Sequence, residues 1–178
     1  MLHTLWDNRG KSDGRPVVQL LSDTGRGLAT FPISVPSTAT TVAVGEEDWT
    51  ISGNKTQLEA TLPDGKQFSA TPDKKPFGRA KTISIDLAGT TVTAINESRS
   101  DWVYVDADDN KLGQFSGGNN GVRQSITEFE PDAPLNDAEK VFLSWVTRTA
   151  LETKTLGTTL VLTLCLLLVI PIAILGLL

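Results

Sequence analysis

From Pro16 to about Phe129 the chain runs in short stretches rich in Val, Ile, Thr and aromatic residues, punctuated by Gly, Asp, Asn and Pro. Val17 to Leu21 is such a stretch, and Ser22-Asp23-Thr24-Gly25 after it has turn chemistry. Leu28 to Val35 sets Phe31, Ile33 and Val35 in alternation, with Pro32 restricting the run to an edge, a bulge or a partial strand. Thr41 to Val44, Asp48 to Ser52 and Gln57 to Leu62 follow closely, and Pro63-Asp64-Gly65 between Leu62 and Gln67 signals a hairpin. Thr71 to Lys81 reads as a loop inside one domain. Beyond it lie Thr82 to Asp86, Thr90 to Ile95, Trp102 to Val105, Leu112 to Phe115 and Val122 to Phe129. Roughly nine or ten short strands with little helix between them predict a mainly β domain, an antiparallel barrel or sandwich spanning 16–130. Residues 1–15 are left as an amino-terminal arm.

The pattern changes at Glu130-Pro131-Asp132-Ala133-Pro134, and 131–136 reads as a linker. Asn136 and Glu139 stand in capping-box spacing, so a helix over 137–154 is expected. Ala138, Val141, Phe142, Trp145, Val146 and Thr149 recur at steps of three and four, forming one stripe, while Glu139, Lys140, Thr147 and Arg148 fall largely elsewhere. Such an amphipathic juxtamembrane helix can pack on the β-domain, lie on a bilayer, or bind a neighbouring subunit.

From Thr155 to Leu178 no side chain is charged. As a helix this segment reaches about 36 Å, enough to cross a hydrocarbon core of about 30 Å, and it is read as a single transmembrane anchor. Gly157, Thr158, Thr159 and Thr163 permit close approach of another helix. Partner contacts are therefore expected at Phe142, Trp145, Gly157, Thr158, Thr159 and Thr163, with integral membrane subunits and the bilayer as partners. The amino end has no continuous apolar run of signal-peptide length. Lys140, Arg148 and Lys154 precede the span and no basic residue follows it, which predicts a tail-anchored protein of the cell membrane with a cytoplasmic amino-terminal domain.

Composition narrows the chemistry. A formal net charge of −5 over 178 residues argues against a general nucleic-acid surface. The single cysteine, Cys165, sits in the apolar run, and the single histidine, His3, at the amino end. No disulfide framework or zinc cluster can be assembled from them. Asp106, Asp108 and Asn110 have the spacing of a calcium loop, but Lys111 stands where the turn glycine belongs and Gly117 where the bidentate glutamate belongs. Gly117-Gly118-Asn119-Asn120-Gly121 lacks the Lys-Ser/Thr ending of a phosphate loop, and Ser116 and Ser125 have no nucleophile elbow around them. Trp49 and Trp102 are expected in the core or at a rim. No catalytic residue, cofactor site or metal site is expected, and the protein is read as a non-enzyme.

Two resemblances bear on these expectations. Asp48-Trp49-Thr50-Ile51-Ser52-Gly53 and Asp101-Trp102-Val103-Tyr104-Val105-Asp106, each followed by a turn and another strand, resemble the LURP-one and tubby-like β-barrels. That resemblance implies about twelve strands wrapped around a hydrophobic carboxyl-terminal helix, here 137–152, and a lipid- or ligand-binding module. Lys74, Lys75, Arg79 and Lys81 are the headgroup contacts considered for such a module. The overall plan, with Asp108-Asp109-Asn110-Lys111-Leu112-Gly113-Gln114-Phe115 and Phe142-Leu143-Ser144-Trp145, also resembles small actinobacterial membrane proteins, some of them accessory subunits of the cytochrome bc and cytochrome oxidase supercomplex. This second likeness implies a non-catalytic accessory or assembly subunit of a larger membrane complex, binding no haem or copper itself.

Overall fold

The computed structural model describes every residue except Asp13, Arg99, 119–123 and 156–178, and of Asn8 the backbone alone. The strands are β1 (His3–Ser12), β2 (Arg15–Ser22), β3 (Gly27–Pro32), β4 (Thr40–Val44), β5 (Glu47–Gly53) and β6 (Leu58–Thr61), then β7 (Gln67–Pro72), β8 (Thr82–Leu87), β9 (Thr90–Asn96), β10 (Trp102–Val105), β11 (Lys111–Ser116) and β12 (Ile126–Phe129). Each pairs antiparallel with its neighbours in sequence. β1 also pairs with β12 through His3↔Glu128, Thr4↔Thr127 and Leu5↔Ile126, so the sheet closes. Of the two architectures expected, the barrel forms, and closure leaves no sheet edge to be protected.

Residues 1–15 are therefore not an arm. They supply β1 and the start of the first hairpin, and they complete the ring. A register shift between Trp6 and Arg9 breaks the alternation, and the exposed stretch from Arg9 to Ser12 extends the hairpin into solvent. Both features disguise the strand in the sequence. Among its described side chains Thr4 and Trp6 are the buried ones.

Elsewhere the alternation is regular. Trp49 and Ile51 of β5, Ile83, Ile85 and Leu87 of β8, and Trp102 and Tyr104 of β10 point inward and are buried. Their neighbours Thr50, Thr82, Ser84 and Asp86 are exposed. Apolar-in and polar-out is the reverse of the alternation in a membrane-spanning barrel. Burial of each large inward side chain contributes about 1.5–3 kcal/mol.

The bore is filled by a helix, α1, covering 137–155. Its side chains meet strands on every side of the ring. Phe142 packs against Phe68 of β7 with ring centroids 5.4 Å apart, and Trp145 stacks on Phe31 of β3 at 5.3 Å. The Tyr104 hydroxyl of β10 donates to the Leu143 carbonyl at 3.1 Å, and the hydroxyls of Thr4 in β1 and Ser144 lie 2.8 Å apart. Small inward residues, Ala60, Ala70 and Ala94, leave room for the helix's aromatic rings. The capping box forms as expected, with Asn136 Oδ1 accepting the Glu139 N–H at 3.0 Å and Glu139 accepting the Asn136 N–H at 2.8 Å.

The one-sided amphipathic stripe needs correction. From Lys140 to Ala150 only Arg148 is more than marginally exposed. The polar positions Lys140, Ser144, Arg148 and Glu152 recur every four residues and form a seam of their own, bonded inside the barrel at all but Arg148 Nε. Lys140 Nζ donates to the Met1 carbonyl at 2.8 Å and lies over the Phe129 ring, while Arg148 donates to Ser125 Oγ at 2.6 Å. A helix can thus read as amphipathic when its polar face is turned toward hydroxyls and carbonyls of its own sheet. No helix among the described residues is long and apolar enough to cross a membrane. The proposed anchor lies, from 156 onward, outside the described residues.

Candidate functional site

Because every connection in an up-and-down barrel reverses direction, alternate connections share one end. β1 starts at the end that also holds the turns 23–26, 45–46, 62–66, 88–89 and 106–110. We call this end the base. The helix starts there too, with the Met1 amino group 3.9 Å from Asp137. The opposite end, the mouth, holds the β1–β2 hairpin tip and the connections 33–39, 54–57, 73–81, 97–101 and 117–125. α1 runs from base to mouth, so Thr155, the last described residue, lies at the mouth.

Charge divides along the same axis. The base turns carry Asp23, Glu46, Asp64, Asp106, Asp108 and Asp109, and the adjacent linker adds Glu130 and Asp132. Cations there are largely committed, with Lys66 Nζ 2.9 Å from Asp64 and Lys111 Nζ 3.1 Å from Glu130. At the mouth stand Lys11, Arg15, Lys55, Lys74, Lys75, Arg79 and Lys81, and none of these seven forms an ion pair among the described residues. Four acids also stand in the mouth connections, Asp13, Asp73, Glu97 and Asp101. Asp73 accepts the Lys81 backbone N–H at 3.2 Å, and Asp101 accepts from Ser98 Oγ and from the Gly117 N–H.

The β7–β8 connection builds a site from this surplus. After Pro72 the chain forms a short 3-10 turn, Phe77–Arg79, whose Phe77 ring is buried beneath it. The Phe77 N–H donates to the Lys55 carbonyl at 3.1 Å and the Asn96 N–H to the Lys81 carbonyl at 2.9 Å, which ties the loop to the 54–57 connection and to the end of β9. Gly78 brings the turn against the backbone of Thr153 and Lys154. The result is an open groove of about 510 Å³ lined by Lys74, Lys75, Arg79, Lys81, Asn96 and Lys154. All four headgroup residues expected from sequence therefore converge, and Lys154 joins them from the helix end. Lys154 is separated from them by some seventy residues in the chain, and only the passage of α1 through the barrel places it there.

The expected partner residues divide differently. Phe142 and Trp145 are 0% and 2% exposed and are covered by Phe31 and Phe68, so their rings offer no surface to another chain. Gly157, Thr158, Thr159 and Thr163 lie outside the described residues.

On the other side of the mouth, Glu152, 4% exposed, is held between two arginines. Arg148 Nη2 lies 2.6 Å from one carboxylate oxygen and Arg9 Nη2 2.5 Å from the other. Burial lowers the Arg148 pKa and the Glu152 carboxylate opposes that shift. Deeper in the seam, burial pushes the Tyr104 phenol well up, with its hydrogen bond to Thr147 a smaller opposing influence.

The remaining motifs have structural duties. Asp106 accepts the N–H groups of Asp108 and Asn110 and the Asn110 side-chain amide, all at 2.9 Å, and this bonding, led by the Asn110 amide, holds its carboxyl below the usual range. It shapes a turn in which Asp109 takes φ 64°. His3 lies on the outward parity of β1, two pairing rows beyond Leu5↔Ile126, whereas Ser125 is buried near the mouth. At about 3.3 Å per residue this spacing keeps the two from direct hydrogen bonding. Trp49 and Trp102 are core residues, 0% and 4% exposed. Among the described residues no group of three or more His, Cys, Asp and Glu side chains is arranged to hold a metal ion. No family model matches the chain, and neither a curated protein nor a solved structure matches it.

Proposed function

We propose that this chain is a membrane-tethered, non-catalytic module that holds the phosphate-bearing headgroups of anionic lipids at the mouth of its barrel. The observation that carries the reading is the groove of Lys74, Lys75, Arg79, Lys81 and Lys154, beside the described end of the helix, after which the uncharged segment 156–178 follows in sequence. A bilayer entered by that segment would meet the groove first. Lysines and arginines held near an anionic surface contribute about 1 kcal/mol each, and arginine adds planar recognition of phosphate oxygens. The tubby-like resemblance is supported by the strand count and the central helix, and it agrees with a lipid-facing role. The bore itself is filled by α1, so the ligand is taken at the rim and not inside the barrel.

The test uses the full-length chain in neutral detergent, with phosphatidylglycerol or phosphatidylcholine added and lipid retention measured by native mass spectrometry. Retention of phosphatidylglycerol over phosphatidylcholine is expected, lost in Lys74→Gln/Lys75→Gln/Arg79→Gln. Equal retention of both lipids by the wild-type chain would remove the reading.

A further inference from the structure

The cations of the β7–β8 groove come in two groups. Lys74 and Lys75 precede the 3-10 turn, and Arg79 and Lys81 lie at its end and just beyond it. Lys154 belongs with the second group, because a Cβ on Gly78, the residue before Arg79, would stand 2.6 Å from the Lys154 backbone nitrogen. Between the groups lie Pro76, Phe77 and Gly78, which carry no charge, and the Phe77 ring is buried. Lys75 and Arg79 are four residues apart, about 8 Å at the rise of a 3-10 turn. Among the described residues no carboxylate lines the groove. The loop's own acid, Asp73, is turned to the Lys81 backbone N–H at 3.2 Å.

From this arrangement we infer that the groove takes a headgroup of two phosphodiesters bridged by glycerol, with one phosphate against Lys74 and Lys75 and the other against Arg79, Lys81 and Lys154. The inference rests on the headgroup half of the proposed function and narrows it to one class of anionic lipid. A lipid with one phosphodiester brings a single negative charge. To use all five cations it must draw them together around that charge, and their mutual repulsion opposes the convergence. Two linked phosphates give each group its own counter-charge where it stands. Once the first is held, the bridge delivers the second at the high effective concentration of a short tether. The groove volume of about 510 Å³ falls within the range of about 300–1,000 Å³ for pockets that enclose small molecules, which leaves room for both phosphates and the bridge. Among the described residues the one neutral polar side chain on the lining is Asn96. Its amide nitrogen donates to the Asp101 carbonyl at 3.2 Å, so its oxygen is the acceptor left for a hydroxyl on the bridge.

The experiment offers the full-length chain in neutral detergent equal molar amounts of phosphatidylcholine, phosphatidylglycerol, phosphatidic acid or cardiolipin, and reads lipid retention by native mass spectrometry. Cardiolipin, the glycerol-bridged lipid, should be retained over phosphatidylglycerol by at least about fivefold, the worth of one further cation engaged. Two phosphates acting independently would give only the statistical gain of about twofold, with no tether effect. Phosphatidic acid places up to about two charges on one phosphate and should stay near phosphatidylglycerol. Lys74→Gln/Lys75→Gln and Arg79→Gln/Lys81→Gln should each bring the cardiolipin preference down to the statistical level, because either leaves one group to hold one phosphate. These exposed substitutions are checked by an unchanged thermal midpoint. The two-phosphate headgroup is overturned, and the groove's preference for anionic lipid survives, if the wild-type ratio is only statistical, if phosphatidic acid is retained as well as cardiolipin, or if the ratio survives both paired substitutions. If none of the three anionic lipids exceeds phosphatidylcholine, both readings fall.

Discussion

Gly78 and Lys154, the one in the β7–β8 connection and the other at the end of α1, approach so closely that a Cβ on Gly78 would stand 2.6 Å from the Lys154 backbone nitrogen and 2.9 Å from its Cα. The loop therefore seats α1 at Thr153 and Lys154. Gly78→Ala must displace backbone, which no side-chain rotation can relieve. Overpacking of this kind costs about 1–3 kcal/mol. The variant should unfold at lower denaturant concentration and lose the phosphatidylglycerol preference of the groove together with it. Full retention of both would mean that the loop does not position the helix end.

Tyr104 gives a prediction in pH. Its phenol is neutral and buried in the folded chain, with its pKa raised above the ordinary 10.0. On unfolding it returns to that ordinary value, so above about pH 10 the unfolded state binds fewer protons than the folded one. Stability from this group is present below pH 10 and is lost as pH rises toward the folded pKa. Tyr104→Phe should cost about 1 kcal/mol at neutral pH, since Thr147 can still donate to the Leu143 carbonyl at 3.2 Å. It should also flatten the alkaline fall in stability. Tyr104 is the only tyrosine, so phenolate absorbance reports it directly, and titration near the free value in the folded protein would contradict the burial.

How much of this was legible in the sequence depends on what each feature needs from the rest of the chain. Regular alternation, as in Ile83-Ser84-Ile85, is local, and those strands were readable. β1 was not, because a bulge and an exposed hairpin tip mix Asp7, Arg9 and Lys11 into its apolar parity. That omission mattered for the site. The ends of an up-and-down barrel are assigned by counting turns, and without β1 the hairpin bearing Lys11 and Arg15 could not be placed at the same end as Lys74 and Lys75. The helix was legible in its start and cap but not in its surroundings. Lys140, Ser144 and Glu152 look solvent-facing in sequence, and only the hydroxyls, carbonyls and arginines opposite them make an interior position tolerable. Lys154 could not be joined to the loop cations from sequence, since its position depends on the helix passing through the ring.

The seam between α1 and β1 can be measured at its centre. Ser144 Oγ donates to the Lys140 carbonyl at 2.8 Å and therefore accepts from Thr4 Oγ1, also at 2.8 Å. Both residues are 0% exposed. Thr4→Val keeps the shape but removes the donor, and Ser144→Ala leaves the Thr4 hydroxyl buried without this acceptor, each costing about 1–3 kcal/mol. Because the two losses describe one contact, the double variant should cost less than their sum, by roughly 0.5–1.5 kcal/mol in a double-mutant cycle. Strict additivity in urea unfolding would mean that α1 is not registered against β1 at this level.

At the mouth, the two arginines on Glu152 should respond unequally to substitution. Arg9 is 55% exposed in its side chain and Arg148 13%. An exposed partner is screened by water, so Arg9→Gln should cost no more than about 1 kcal/mol. Glu152→Gln removes the counter-charge from a guanidinium whose Nε already has no hydrogen-bond acceptor among the described residues. Stranding a largely buried charge costs about 3–5 kcal/mol, which exceeds the worth of either ion pair at the surface. Arg148→Met with Glu152→Gln should recover part of that loss, because the methionine side chain can still cover the Trp6 ring, which the guanidinium now overlies at 5.7 Å from the ring centre. The order of thermal midpoints is therefore wild type, Arg9→Gln, the double variant, then Glu152→Gln. A Glu152→Gln midpoint equal to that of Arg9→Gln would show that the triad is hydrated and does not hold the helix in the ring.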